Sequence, residues 1–181
     1  MATSLWVLDP THSEIGFKIK HLMITNVSGK FNSVEATIEN EDDTFETSKI
    51  RFSAETLSID TNNEERDGHL KGGDFFDVAE YPTLTFVATN IIQLKEGGYT
   101  ITGDLTIKGH TKSITLAAEY SPPILDPWMQ LKAGLSVTGK INRKDFGLEW
   151  NTTLEAGGML VGEEVSLIAE MQFIKQQVIP E

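Results

Sequence analysis

The sequence predicts an all-β fold, an antiparallel barrel of about eight strands with one short helix inserted between strands. Three observations lead there. Apolar and polar residues alternate with period two through most of the chain, as in strands with one buried face. Turn signals separate these runs at short intervals, among them Glu96-Gly97-Gly98-Tyr99 and Gly109-His110. A single stretch, Thr61 to Phe76, breaks the alternation and carries the one tidy helix signal. Strands of this number with one apolar face favour ring closure, which removes exposed edges; a two-sheet sandwich is the alternative.

The elements follow in order. Ser13 to Leu22 places Ile15, Phe17, Ile19 and His21 on one face and Glu14, Lys18 and Lys20 on the other. Gly29 to Glu39 turns Val34, Ala36 and Ile38 inward, with Phe31 out of phase, which predicts a bulge near Ser33. Ser48 to Ile59 gives Ile50, Phe52 and Ala54, then Leu57 and Ile59 after a second phase slip. Thr83 to Ile91 buries Leu84, Phe86 and Ala88; Tyr99 to Ile107 buries Tyr99, Ile101, Gly103, Leu105 and Ile107. Ile114, Leu116, Ala118 and Tyr120 continue the pattern, and Ser121-Pro122-Pro123 reads as the start of a loop because proline cannot donate to a ladder. Leu131, Ala133, Leu135, Val137 and Ile141, then Val165, Leu167, Ala169, Met171 and Phe173, complete the inward set.

The insert opens with Thr61 and Glu64 at capping-box spacing and is expected to run as a helix to Lys71, where Gly72-Gly73 ends it. Leu70, Phe75 and Phe76 are expected to face the interior while Glu64, Glu65, Arg66 and Lys71 stay in water. Such a segment either plugs a barrel end or forms a lid over a cavity. Inward positions as small as Ala36, Ala54, Ala88, Gly103, Ala118, Ala133 and Ala169 favour a space over a filled centre.

Composition narrows the function. The chain has 181 residues, suited to one domain spanning 1–181, and a formal net charge of -12. That charge argues against nucleic acid and against electrostatic docking on an anionic membrane. No apolar run is long enough for stable membrane insertion. With no cysteine there are no disulfides, thiolate metal sites or cysteine nucleophiles. The start Met1-Ala2-Thr3-Ser4-Leu5-Trp6 shows no signal peptide, so a cytoplasmic location is expected if that terminus is native, and a periplasmic one if a signal was removed.

Few residues suggest chemistry. His12, His21, His69 and His110 lack metal-binding spacing, and neither a nucleophile elbow nor a phosphate loop is present. No cofactor, metal or catalytic residue is therefore expected. His21 shares phase with Ile15, Phe17 and Ile19, which leaves it as a satisfied rim histidine or a polar contact for a ligand head group. Arg66, Asp67, Arg143 and Asp145 suit ion pairs across a barrel end better than acid–base catalysis. Trp150, beside a glycine-bearing loop, is either core material or part of an apolar entrance.

Four stretches in order, Leu8–His21 (LDPTHSEIGFKIKH), Arg66–Phe86 (RDGHLKGGDFFDVAEYPTLTF), Gly103–Leu116 (GDLTIKGHTKSITL) and Ile141–Leu148 (INRKDFGL), resemble the YceI-like family of polyisoprenoid-binding, lipocalin-like bacterial proteins. The resemblance covers nearly the whole chain. It implies a lipocalin-like barrel that binds a long isoprenoid or similar fatty amphiphile without catalysis, often as a homodimer. It further implies that Phe17, Ile19, Phe86, Ile101, Leu105 and Leu135 line the tunnel, that Leu70, Phe75 and Phe76 close one side, and that His21 meets the head group. Trp150 joins this set at the entrance. The family often carries glycine after the tryptophan where this sequence has Met129, a difference expected at the rim. The alternatives are an enzyme using His21 or His69 on a small apolar substrate, and a filled barrel acting as an interaction module.

Overall fold

The computed structural model describes residues 3–152, 154 and 160–176. Its strands are β1 (Thr3–Leu8), β2 (Glu14–His21), β3 (Thr25–Phe31), β4 (Val34–Glu41), β5 (Lys49–Glu55), β6 (Ile59–Asp60), β7 (Thr83–Gln93), β8 (Tyr99–Ile107), β9 (His110–Leu125), β10 (Leu131–Asn142) and β11 (Val161–Lys175). One helix, α1 (Glu64–Lys71), lies between β6 and β7.

These eleven strands make eight chain lines, the expected number. β1 and β2 follow one another along the same edge of β11, paired at Leu8↔Phe173 and then from Glu14↔Glu170 to His21↔Val161. β3 and β4 form one line broken at Asn32-Ser33, where the bulge is expected. β5 and β6 form another, broken by a 3-10 turn at Thr56–Ser58. Each line pairs antiparallel with the next, and the contacts of β1 and β2 with β11 close the ring.

The breaks bend the wall, and their causes are local. Between β1 and β2, Asp9 caps a 3-10 turn, accepting from the Thr11 N–H at 3.1 Å and the Thr11 hydroxyl at 2.6 Å. The Ser13 hydroxyl donates to the Asp9 carbonyl at 2.7 Å and accepts from the Gln172 N–H at 3.1 Å, stitching the interrupted ladder. His12 meets the same carboxylate at 2.8 Å. The Thr11 hydroxyl is the main reason that the Asp9 carboxyl sits below its ordinary pKa; burial opposes it, and His12 and the Thr11 N–H add to it. A carboxyl with a lowered folded pKa stabilises fully above its unfolded value of about 4, and the contribution fades as pH falls through the folded value. Asp9→Asn keeps a capping oxygen but loses the charge that strengthens the bonds from Thr11 and His12, and should therefore cost about 1 kcal/mol at neutral pH. The gap should narrow in thermal melts as pH falls below the ordinary carboxylate value of about 4 and close once the carboxyl is protonated in the folded state too. A gap independent of pH would mean that packing, not the carboxylate, holds the turn.

The barrel is filled at one end. Phe45 stacks on Tyr120 at 4.2 Å between centroids and meets Tyr99 edge-on at 4.8 Å. Trp6, Ile38 and Ile91 are buried beside them. The turns β7–β8 and β9–β10 belong to this closed end; the turns β2–β3 and β8–β9, α1 and the segment between β10 and β11 belong to the other.

Several sequence expectations change. β9 runs on to Leu125 through Pro122-Pro123. There it pairs only with β10, because β8 begins at Tyr99, opposite Ala118. The ladder shifts register between Ser121 and Ile124, so the prolines sit where no donor is required. Leu57 is exposed, since the 3-10 turn buries Thr56 instead, whose hydroxyl donates to the Tyr81 carbonyl at 2.8 Å. Leu131, in the β9–β10 overhang, is also exposed. Met129 adopts φ +65° in the turn Asp126–Gln130, the conformation that glycine favours, and this turn stands at the closed end rather than at a rim.

Candidate functional site

The other half of the barrel is hollow. A cavity of about 630 Å³ opens at the α1 end, within the range of small-molecule sites. Its depths are apolar: Ala36, Ile101, Leu135, Met171 and Phe173 stand there, on strands whose alternation turns these residues inward. Phe17, Ile19, Val137 and Leu167 pack on the core yet are only half-buried, because they face this space.

All eleven residues singled out from the sequence line this one cavity: Phe17, Ile19 and His21 from β2; Leu70, Phe75 and Phe76 from the insert; Phe86, Ile101, Leu105 and Leu135 from β7, β8 and β10; and Trp150. The small inward residues do less for the space than expected. Ala36 and Ala169 line it, whereas Gly103 lies under the Phe86 ring and Ala118 opposes Tyr99, making room for their neighbours.

The insert forms a lid. Between β6 and β7 the wall is incomplete, since β6 has only two residues and β5 reaches β7 no further than Glu55↔Thr83. Residues 61–82 cover that gap. α1 carries acids in its first turn and His69 and Lys71 in its last, which suits the helix dipole. It is capped by Asn63, which accepts from the Arg66 N–H at 3.0 Å, rather than by Thr61. Thr61 is buried and donates to Asp67, while the Arg66 side chain turns back to donate to the Thr61 hydroxyl at 2.7 Å and to its carbonyl at 2.6 Å. The cluster at Arg66-Asp67 thus closes on Thr61, and Arg66 is half-buried rather than wet. Beyond Gly72, Phe75 and Phe76 are buried; Phe76 meets Phe31 edge-on at 5.9 Å. Trp150 packs against Phe75 at 5.5 Å and against the edge-on His69 ring at 4.7 Å.

Among the described residues, polar groups gather at the mouth: Lys20 and His21 at the end of β2, Thr61, Asn63, Glu65, Arg66 and His69 on the insert, and Arg143. Arg143 was missed as a candidate for this site. It is 2% exposed and forms no ion pair among the described residues, contrary to the expected pairing across the barrel end. Its Nε donates to the Gly162 carbonyl at 2.7 Å, Nη1 to those of Leu148 at 2.5 Å and Trp150 at 3.0 Å, and Nη2 to that of Val161 at 3.4 Å. Burial lowers its pKa, against the pull of the Glu163 carboxylate. One guanidinium thus fastens both ends of the segment that joins β10 to β11, and so places Trp150. Asn151 adds two bonds to Val161, at 2.7 and 3.0 Å. Part of the glycine-bearing loop that the sequence places here, residues 153 and 155–159, lies outside the described residues.

The histidines differ in setting. His21 is half-buried at the cavity wall, and its ring forms no hydrogen bond to protein among the described residues. His69 meets Asp74 at 3.0 Å, and no hydroxyl bonds to it among the described residues. Among those residues, too, no cluster of His, Asp and Glu is arranged to hold a metal ion. The arrangement can take an apolar chain lengthwise and meet a polar end at the mouth.

The YceI-like domain matches residues 6–173. A UPF0312 protein of Staphylococcus aureus (strain MSSA476) is 37% identical over 169 residues, covering 93% of this chain and 96% of that one. Among solved structures, the YceI protein of Campylobacter jejuni is similar with a TM-score of 0.73 at 32% identity, over 88% of this chain and 91% of that chain. BcnA of Burkholderia cenocepacia shares the fold with a TM-score of 0.79 at 20% identity, over 91% and 98%. A polyisoprenoid binding domain from Saccharophagus degradans, implicated in plant cell wall breakdown, shares it with a TM-score of 0.66 at 12% identity, over 97% and 99%.

Proposed function

The chain belongs to the YceI-like family, and from that premise we propose that its barrel stores or carries the hydrocarbon chain of an isoprenoid or similar amphiphilic lipid without converting it. One observation carries the reading: among the described residues the cavity is apolar to its base and polar at its mouth. An amphiphile enters such a space tail first, with its polar end left at His21, His69 and Arg66. The Saccharophagus degradans domain of the same fold supports the ligand class by its description as polyisoprenoid binding.

Size limits the cargo. At roughly 30 Å³ for a water-sized group, a volume of about 630 Å³ holds a chain on the order of twenty carbons. A longer chain emerges at the mouth. Each buried methylene contributes about 0.8 kcal/mol, and the ordering of a flexible chain offsets much of the sum. Selectivity for chain identity is accordingly weak.

Protein purified without detergent should release a prenyl-type species in about equimolar amount when extracted into organic solvent and weighed by mass spectrometry. Repeated blank extracts from folded protein would overturn the reading. A second reading rests on the His69–Asp74 pair, an acid–base dyad at the mouth. It predicts chemical change in a small apolar molecule incubated with the protein and its loss in His69→Gln, whereas the carrier reading predicts unchanged cargo.

A further inference from the structure

Two apolar tips project into solvent. One, at the closed end, presents Ile124, Leu125, Trp128 and Met129. The other is the β2–β3 turn at the cavity mouth, where Leu22, Met23 and Ile24 are 40%, 62% and 73% exposed. It follows directly on His21, a residue of the cavity wall, and its Leu22 N–H donates to the Leu160 carbonyl at 2.8 Å.

The turn is built against local preference. Leu22 and Met23 have φ of +55° and +62°, a region that disfavours bulky side chains and that hairpins commonly fill with Asn-Gly. The strain is borne although both side chains stand partly in water.

The hairpin's charge also departs from that of the chain. Residues 15–34 contain Lys18, Lys20 and Lys30 and no acid, in a protein of net charge -12. Lys30 is offset by Asp60, its partner across β3–β6. Lys18 stands between Ser28 and Ser166 and Lys20 beside Asn26, and neither forms an ion pair among the described residues. The nearest acids on β11, Glu163 and Glu164, are held by Lys144 at 2.8 Å and Lys140 at 3.5 Å. α1 packs on β6, and of its acids Glu65 shares the cavity mouth with Lys20 while Glu64 does not line it.

We propose that the β2–β3 hairpin docks the barrel mouth-first on an anionic lipid bilayer, Leu22, Met23 and Ile24 entering the interface while Lys18 and Lys20 meet the head groups. Overall acidity keeps the contact weak and reversible, as the loading of a carrier requires. The purpose of the contact rests on the carrier reading; its test does not, because vesicle binding is read without cargo.

The full chain is sedimented with vesicles of phosphatidylcholine, with and without phosphatidylglycerol. Binding is expected to the anionic vesicles and to weaken with salt. Leu22→Asn/Met23→Gly should reduce it about tenfold or more, with thermal stability kept or raised because the strained turn is relieved. Lys18→Gln/Lys20→Gln should abolish the preference for phosphatidylglycerol, and Ile124→Ser/Trp128→Ser should bind as the parent does. The proposal is overturned by absence of binding, by full binding of the Leu22/Met23 variant, or by loss in the Trp128 variant. It is equally overturned if the Leu22/Met23 variant turns a dimer into a monomer in light scattering without vesicle binding by the parent, which would make the tip a self-interface. A blank lipid extract beside intact vesicle binding would sink the carrier reading and leave the docking result standing.

Discussion

Arg143→Met is expected to lower the midpoint of thermal unfolding by about 6–12 °C, the equivalent of roughly 3 kcal/mol in a chain of this size. The methionine keeps most of the stem's packing and removes the guanidinium, so the carbonyls of Leu148, Trp150, Val161 and Gly162 lose their donor together. Arg143→Lys should recover part of the loss: an ammonium supplies charge and three donors but lacks the fork that reaches carbonyls on two sides. Because the same bonds place Trp150 against His69 and Phe75, Arg143→Met should also release cargo faster at temperatures where the barrel is still folded. Melts that coincide with those of the parent would show that the segment after β10 is held by other contacts.

Val137→Trp tests the cavity from inside. Val137 is half-buried, faces the hollow half and lies one inward step from Leu135. An indole there occupies the space that a hydrocarbon chain needs. Cargo in the organic extract should fall at least about tenfold, while thermal stability holds or rises as a void is filled. If the extract keeps its lipid at full occupancy, the chain lies elsewhere than in this cavity. A large fall in stability would mean that the wall has no room to spare and that the hollow is smaller than its outline.

Much of this was legible in the sequence because a strand has a short memory. With a side-chain period of two, Ile15, Phe17, Ile19 and His21 have to share a face whatever surrounds them. Repeated along the chain, that rule identified the inward residues, and the short turns between runs implied neighbour-to-neighbour pairing. The insert stood out because Thr61 to Phe76 carried the one tidy helix signal among runs of period two. The resemblance to a family supplied the ligand class, which alternation alone does not carry.

What escaped was long-range. Arg143 looked like one half of a surface ion pair, because nothing local says that four carbonyls from a segment ending at Gly162 will converge on it. Thr61 looked like a cap, but Asp67 and Arg66 claimed it and left the role to Asn63. Pro122-Pro123 looked like a loop, since the sequence does not show that β8 stops short and leaves β9 unpartnered on that side. The run of small inward residues pointed to a space, yet the space comes chiefly from elsewhere: one half of the barrel is packed by Phe45, Tyr99 and Tyr120, and the other is left open under the lid.

By itself, then, the sequence determined the strands, their inward faces, their number and the existence of a helical insert, all properties of residues within a few positions of one another; that the insert is a lid and not a plug was left to the structure. Only the tertiary structure decided which end is shut, where the mouth lies, what fastens it and that an apolar, basic hairpin stands beside it. Those depend on which strand ends ring closure brings together, and that pairing joins residues as distant as Leu8 and Phe173.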